Sequence, residues 1–242
     1  MNAEKTFNKP EFFYCRIKMD TQLAIEKSRQ LKISVIPIVR EEYEMLLLAR
    51  IFDSRFGKQL VFRGGTALRL AYNSPRFSDD LDFSERKSIS VAEFQKWGKE
   101  VDKDNEYMEL VEALKKKFTL FALFRIKDPA LPASISIKVE ISVREDRWVQ
   151  DKDYTLMRLQ SAVTPLTVLA QVASIERIEK EKLNIKPARI RDIFDLWYIG
   201  QRLNRPHKMD FSSFPAREVR RELHRLLAGG ARRLIESWLP KN

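Results

Sequence analysis

Asp80 and Asp82, in the stretch RFSDDLDFS that starts at Arg76, are the residues whose types and spacing most directly suggest chemistry. On an extended strand they share one face while Leu81 and Phe83 turn inward. Carboxylates held side by side repel each other unless a cation lies between them. A hard divalent ion, Mg²⁺ or Mn²⁺, that also takes phosphate oxygens meets that need; the plainer alternative is an exposed acidic strand end. Asp79 adds a third local charge and is expected to face solvent. Glu140 lies on the polar face of a later strand and is the candidate third carboxylate. It would serve as metal ligand and as base for an attacking hydroxyl, with Lys138 beside it. A solvated Lys–Glu strand face is the alternative there.

A second feature precedes the acidic one. The chain has seven glycines, and two of them are adjacent in VFRGGTALRL, between a strand-like and a helix-like run. Glycine lets backbone amides approach a phosphate closely, and the helix N-terminus that follows adds a favourable dipole. Gly64, Gly65 and Thr66 are therefore expected to hold a triphosphate through backbone and hydroxyl donors, with Arg63 nearby. The stretch is neither a Walker loop nor a G-x-G-x-x-G fingerprint, which leaves dinucleotide binding without support. A nuclease would also use clustered carboxylates, but it has no triphosphate to cradle.

The elements that position these residues follow from periodicity. Pro37 opens a helical pattern that runs through Ile51 towards Gly57. Residues 58–63 read as a short strand, 66–72 as a helix stopped by Pro75, and 80–84 as a second strand. Ser90-Val-Ala-Glu93 has the form of a capping box and predicts a charged helix to about residue 117. Strands are predicted over 118–125 and 134–143; in the second, Ile135, Ile137, Val139, Ile141 and Val143 alternate with polar residues. A weaker strand falls at 154–159. Beyond 163 the pattern turns helical, with starts expected at Thr164-Pro165 and Pro187 and a helix over 217–228 closed by Gly229-Gly230. The expected organisation is a core over 1–160 and a helical, basic part over 161–242 packed on it, without a flexible linker. The fold class is α+β, with α and β elements mixed in the first part.

Composition bounds the class of protein. The 242 residues are 44% hydrophobic with 15 Phe and 4 Trp, which suits a globular chain. No apolar run approaches the roughly 20 residues of a membrane span. The first residues lack a basic flank followed by an apolar stretch, so no secretory leader is expected. A single cysteine, Cys15, and two histidines argue against a disulfide framework and a histidine metal site. A cytoplasmic location is the expectation. The net charge is +11, of which +7 falls in residues 151–242. Arg217, Arg221 and Arg225 recur at i+4 spacing there, a candidate stripe for an RNA backbone or else a solvated face.

Taken together, GGTALRL followed by RFSDDLDF resembles the AbiEii/AbiGii abortive-infection toxin family, within the polymerase-β-like nucleotidyltransferase superfamily. The run RDIFDLW from Arg191 is similar to the R-D-x-x-D-L motif in the helical part of that family. The resemblance spans about 61–197 and implies a nucleotidyltransferase core with a short mixed sheet, followed by a helical C-terminal part. It implies metal-dependent transfer of a nucleoside monophosphate from NTP to a hydroxyl, on RNA such as a tRNA 3′ end or on a protein. A cognate antitoxin partner is implied as well. Asp80, Asp82 and Glu140 take the metal and catalytic roles. Arg76, Ser78, Asp192 and Asp195 take nucleotide-site roles. The family lysine has no unambiguous counterpart, and spacing to Asp192 assigns it to Lys180, with Lys182 as the alternative. On the helix, Asp192 and Asp195 share a face, and Arg191 is within i+4 reach of Asp195. The alternative to an enzyme is a non-catalytic nucleotide- or RNA-binding protein of the same fold.

Overall fold

The computed structural model describes residues 19–239; Cys15 and the leader expectation lie outside them. Two helices come first, α1 (Thr21–Leu31) and α2 (Val35–Phe52), and then a 3-10 turn over Gly57–Gln59. The chain continues as β1 (Leu60–Arg63), α3 (Gly64–Tyr72), β2 (Asp80–Glu85) and α4 (Val91–Asp104). Five strands follow: β3 (Met108–Lys116), β4 (Thr119–Ile126), β5 (Ile135–Ser142), β6 (Tyr154–Gln160) and β7 (Thr167–Ala173). Four helices end the described chain: α5 (Ile175–Leu183), α6 (Ile190–Leu203), α7 (Ala216–His224) and α8 (Gly229–Trp238).

The strands form one seven-stranded sheet in the order β3-β4-β5-β2-β1-β7-β6. β2 runs parallel to β5 and β1 parallel to β7, while the other pairs are antiparallel. Leu81 and Phe83 of β2, Phe62 of β1 and Val139 of β5 point to the fully buried side, where α2 and α3 pack. Helix α2 is buried almost all round, so even Glu41, Glu42 and Glu44 are inside. Trp97 of α4 stacks on Phe94 at 5.6 Å between centroids and meets Phe56 and Phe124 edge-on, closing the core at that end. A second, smaller apolar cluster joins α6, α7 and α8 around Phe194, Leu223 and Ile235.

Five expectations are corrected. The helix predicted to residue 117 stops at Asp104, and 108–116 is strand β3. Glu, Ala, Leu and Lys favour a helix locally, but β4 offers this segment partners along its length, and pairing overrides propensity. Ser90 occupies the N-cap of α4 without making the side-chain bond of a capping box. The helix expected at Thr164-Pro165 is instead β7, with Val168, Ala170 and Val172 buried in alternation. Its slot beside β1, where Val172 faces Phe62, lies inside the sheet, and Gln160 is the last residue of β6, paired with Thr167 of β7. Residues 184–189 are loop rather than a helix begun by Pro187, because α6 starts at Ile190. Gly229-Gly230 opens α8 instead of closing α7, which has already ended at His224.

Candidate active site

Register places the site. Arg63 of β1 lies opposite Asp82 of β2, which lies opposite Glu140 of β5, and the row continues to Phe121 of β4. Asp80 is opposite Lys138 one step along, with 3.5 Å between Lys138 Nζ and Asp80 Oδ1. Neighbouring strands are about 4.8 Å apart, so three carboxylates gather on one face without any side chain having to reach. Among the described residues, Asp82 and Glu140 accept no hydrogen bond and form no ion pair. Burial raises the pKa of Asp82, with Asp80 adding to the shift and Arg63 opposing it. Burial also raises Glu140, assisted by Asp82 and Asp80. Two unpartnered, mutually repelling carboxylates fit a divalent cation. With the side chains as they stand, no three His, Cys, Asp or Glu among the described residues converge tightly enough to hold an ion alone. A bound ion would therefore complete its shell with phosphate oxygens and water.

The glycine pair fits against this face. Gly64 has φ +80°, and a Cβ there would fall inside contact distance of Asp82 Oδ2. A Cβ on Gly65 would lie 2.6 Å from Arg76 Nη2 and 2.7 Å from Ser78 Oγ. Both positions need glycine because the backbone at the start of α3 lies directly against the Asp82 side chain and the segment before β2. The unpaired amides and dipole of that helix end therefore point at the carboxylate face. Ser78 sits at Gly65, half-buried. Thr66 does not line the cradle. It is fully buried, and its Oγ1 donates to the Asp80 carbonyl at 2.5 Å, fastening α3 to β2.

Behind the carboxylates is a buried ionic network. Arg76 Nε and Nη2 donate to the two carboxylate oxygens of Asp195, each at 2.7 Å, and Arg76 is 3% exposed. That makes Arg76 a staple between the β2 approach and α6, rather than a group facing the nucleotide. Lys182 Nζ lies 2.6 Å from Asp195 Oδ2 and 3.0 Å from Asp192 Oδ1. Arg189 completes the set with 2.6 and 3.1 Å bonds to Asp192. Burial alone would raise Asp195, but Arg76 and Lys182 outweigh it and lower the carboxyl to about 2. Asp192 is likewise lowered against its burial, by Arg189 and Lys182.

The lysine in this network is Lys182, whereas Lys180 points to solvent. Helical phase carries the signal that spacing to Asp192 missed: Ile175, Ile178 and Lys182 recur at i, i+3 and i+7 on the buried stripe of α5. Arg191 meets Glu222 at 3.0 Å and Asp79 at 3.5 Å, not Asp195. Asp79 is not solvent-facing either. Arg40, Arg191 and Arg225 converge on it, Arg225 at 2.8 Å, and hold its carboxyl below the usual range against the effect of burial. That clamp takes Arg225 out of the expected basic stripe. Phe77 N donates to Leu226 O at 2.8 Å in the same junction. Sequence reading also left out Glu181, which pairs with Arg63 at 3.1 Å and links α5 to the row of Asp82.

A family described as the nucleotidyl transferase AbiEii toxin of a type IV toxin–antitoxin system matches residues 46–230, from α2 through the start of α8. The chain belongs to the AbiEii family. It is thus a nucleotidyltransferase of a toxin family, with a mixed α/β fold. Among solved structures, MenT4, a nucleotidyltransferase toxin from Mycobacterium tuberculosis H37Rv, is similar at 19% identity and TM-score 0.52, covering 84% of this chain and 68% of that one. JHP933 from Helicobacter pylori is similar at 23% identity and TM-score 0.50, covering 70% of this chain and 68% of that one. These likenesses concern the fold. A comparison with curated proteins gave no match. In this AbiEii chain, no helix among the described residues is long and apolar enough to cross a membrane.

Lys182→Met separates the two lysines. It is expected to cost about 2 kcal/mol in stability, because two charged hydrogen bonds are lost while Arg76 and Arg189 still pair with the aspartates. Lys180→Met leaves stability unchanged. Urea denaturation of both variants checks this.

Proposed function

We propose that this AbiEii chain transfers a nucleoside monophosphate from an NTP to a hydroxyl of RNA and releases pyrophosphate. The observation that carries the reading is the register pair Asp82–Glu140, without hydrogen-bond partners, lying against the Gly64 cradle. The backbone amides at Gly64 and Gly65 hold the triphosphate, and Ser78 borders it. Asp80, Asp82 and Glu140 would hold Mg²⁺ or Mn²⁺. Such an ion, when bound, supplies positive charge to the phosphate oxygens and lowers the pKa of an acceptor hydroxyl. Glu140, its basicity raised by burial and by Asp82, takes the proton of the attacking hydroxyl. The acceptor oxygen forms a bond to the α-phosphorus as the bond from that phosphorus to the bridging oxygen of pyrophosphate breaks. Lys182, Asp192 and Asp195 keep α5 and α6 fixed beside the nucleotide. Membership of a type IV toxin–antitoxin family supports a cognate antitoxin as a partner.

The test is a transfer assay with each labelled NTP, Mg²⁺ or Mn²⁺, and either RNA or protein as acceptor. Label is expected on RNA, and Asp80→Ala is expected to abolish it. Transfer that persists in Asp80→Ala would sink the site assignment. RNA binding with no transfer under any condition would favour the non-catalytic binder, and label on protein alone would replace the acceptor.

A further inference from the structure

The row that holds the carboxylates continues away from Arg63 into a feature the transfer reaction has not used. Next to Glu140 is Phe121 of β4, and beyond Phe121 the β3–β4 hairpin turns at Lys117-Phe118. Lys116 Nζ sits 3.3 Å from the Phe121 ring centroid, on the carboxylate face, and its charge lowers Glu140. At the tip the Phe118 ring is 43% exposed, with Lys117 Nζ at 5.1 Å and the Arg144 guanidinium at 5.3 Å from its centroid. The turn is held, because Val143 N donates to Phe118 O at 3.0 Å. Among the described residues, Lys115, Lys116, Lys117 and Arg144 make no salt bridge, although much of the charge elsewhere is paired.

Lysines alone would suffice to keep an edge strand such as β3 from pairing with another chain. A solvent-exposed aromatic ring flanked by two unpaired cations goes beyond that need. It matches what single-stranded nucleic acid asks of a surface, which is a ring on which a base stacks and cations along the backbone. Phe118 lies in the turn just before β4, three residues and about 10 Å of strand from Phe121, which is within a nucleotide or two of Glu140.

We propose that the β3–β4 hairpin tip is the docking surface for the single-stranded 3′ end of the acceptor RNA, with a base on Phe118 and the backbone along Lys116, Lys117 and Arg144. The terminal hydroxyl is thereby delivered to Glu140 from the side opposite the Gly64 cradle. This rests on the transfer of nucleotide to RNA proposed above.

The experiment measures fluorescence anisotropy of a labelled single-stranded RNA 12-mer with a free 3′ hydroxyl, using the full chain without NTP or divalent metal. Phe118→Ala is expected to weaken binding about tenfold, and Phe118→Trp to retain it. Replacing Lys116 and Lys117 together by alanine is expected to flatten the log–log dependence of affinity on salt by about 0.7 per lysine. In the transfer assay, Phe118→Ala raises the KM for RNA and leaves the KM for NTP in place. Wild-type affinity and salt slope in all these variants would overturn the proposal. So would failure of the wild-type chain to bind the 12-mer while it labels protein, which would also remove RNA as acceptor. Binding lost through the hairpin variants, in a chain that transfers nothing, would uphold the surface and overturn the transfer.

Discussion

Asp82→Asn is expected to melt above the parent protein at pH 7 and to transfer no nucleotide. The two effects share one cause. Asp82 is held beside Asp80 and Glu140 with no hydrogen-bond partner, and its pKa is raised by burial first and by Asp80 second. A raised carboxyl favours the folded state most when it is protonated, at pH below the unfolded value near 3.9. That contribution is lost as pH rises through the folded value, so at neutral pH the ionised group strains the fold. Asparagine removes the charge at similar shape and is expected to stabilise by about 1 kcal/mol, a few degrees in Tm. The same change removes the carboxylate set against the Gly64 backbone, with an expected loss of at least about 10³-fold in transfer. Calorimetry across pH checks the first effect; the stability gap should close below about pH 4. The transfer assay checks the second.

Asp195→Ala is expected to act in the opposite sense on stability. Arg76 at 3% exposure and Lys182 at 7% would be left as buried charges without their shared partner. Removing one member of such a buried set costs about 3–5 kcal/mol, a large part of the roughly 5–15 kcal/mol that holds a typical domain together. The pH dependence has a defined window. Because Asp195 is lowered to about 2, its contribution is complete above the unfolded carboxyl range and disappears as pH falls towards 2. Urea denaturation of parent and variant should therefore show the full gap at pH 7 and a shrinking one between about pH 4 and 2.

These two residues also mark how far the site was legible. Asp82 follows from the chain alone, because alternation along a strand is local and Leu81 and Phe83 fix which face is buried. Asp192 and Asp195 come from a motif resemblance, but the charges that hold them do not. Arg76 and Asp195 are 119 residues apart, and nothing local selects that pairing over Arg191, the i+4 neighbour the helix offers. Lys182 was recoverable from the phase of α5, since the apolar stripe through Ile175 and Ile178 runs to it. The Asp79 clamp was not, because its three arginines arrive from α2, α6 and the end of α7.

The sequence by itself determined the local elements: the Gly64-Gly65 turn, the faces of β2 and β5, and the helices α2 and α3. Their signals are periodicities and turn chemistry that act over a few residues. Tertiary structure decided which strand lies beside which, and hence that Asp82 faces Glu140 on one side and Arg63 on the other. It also decided that 108–116 and 167–173 are strands, against helix-favouring composition in the first and a proline start signal in the second. The physical reason is the same throughout. Strand pairing and buried ion pairs draw their free energy from partners distant in the chain, and those partners outweigh local preferences of a few tenths of a kcal/mol per residue, up to about 1 kcal/mol.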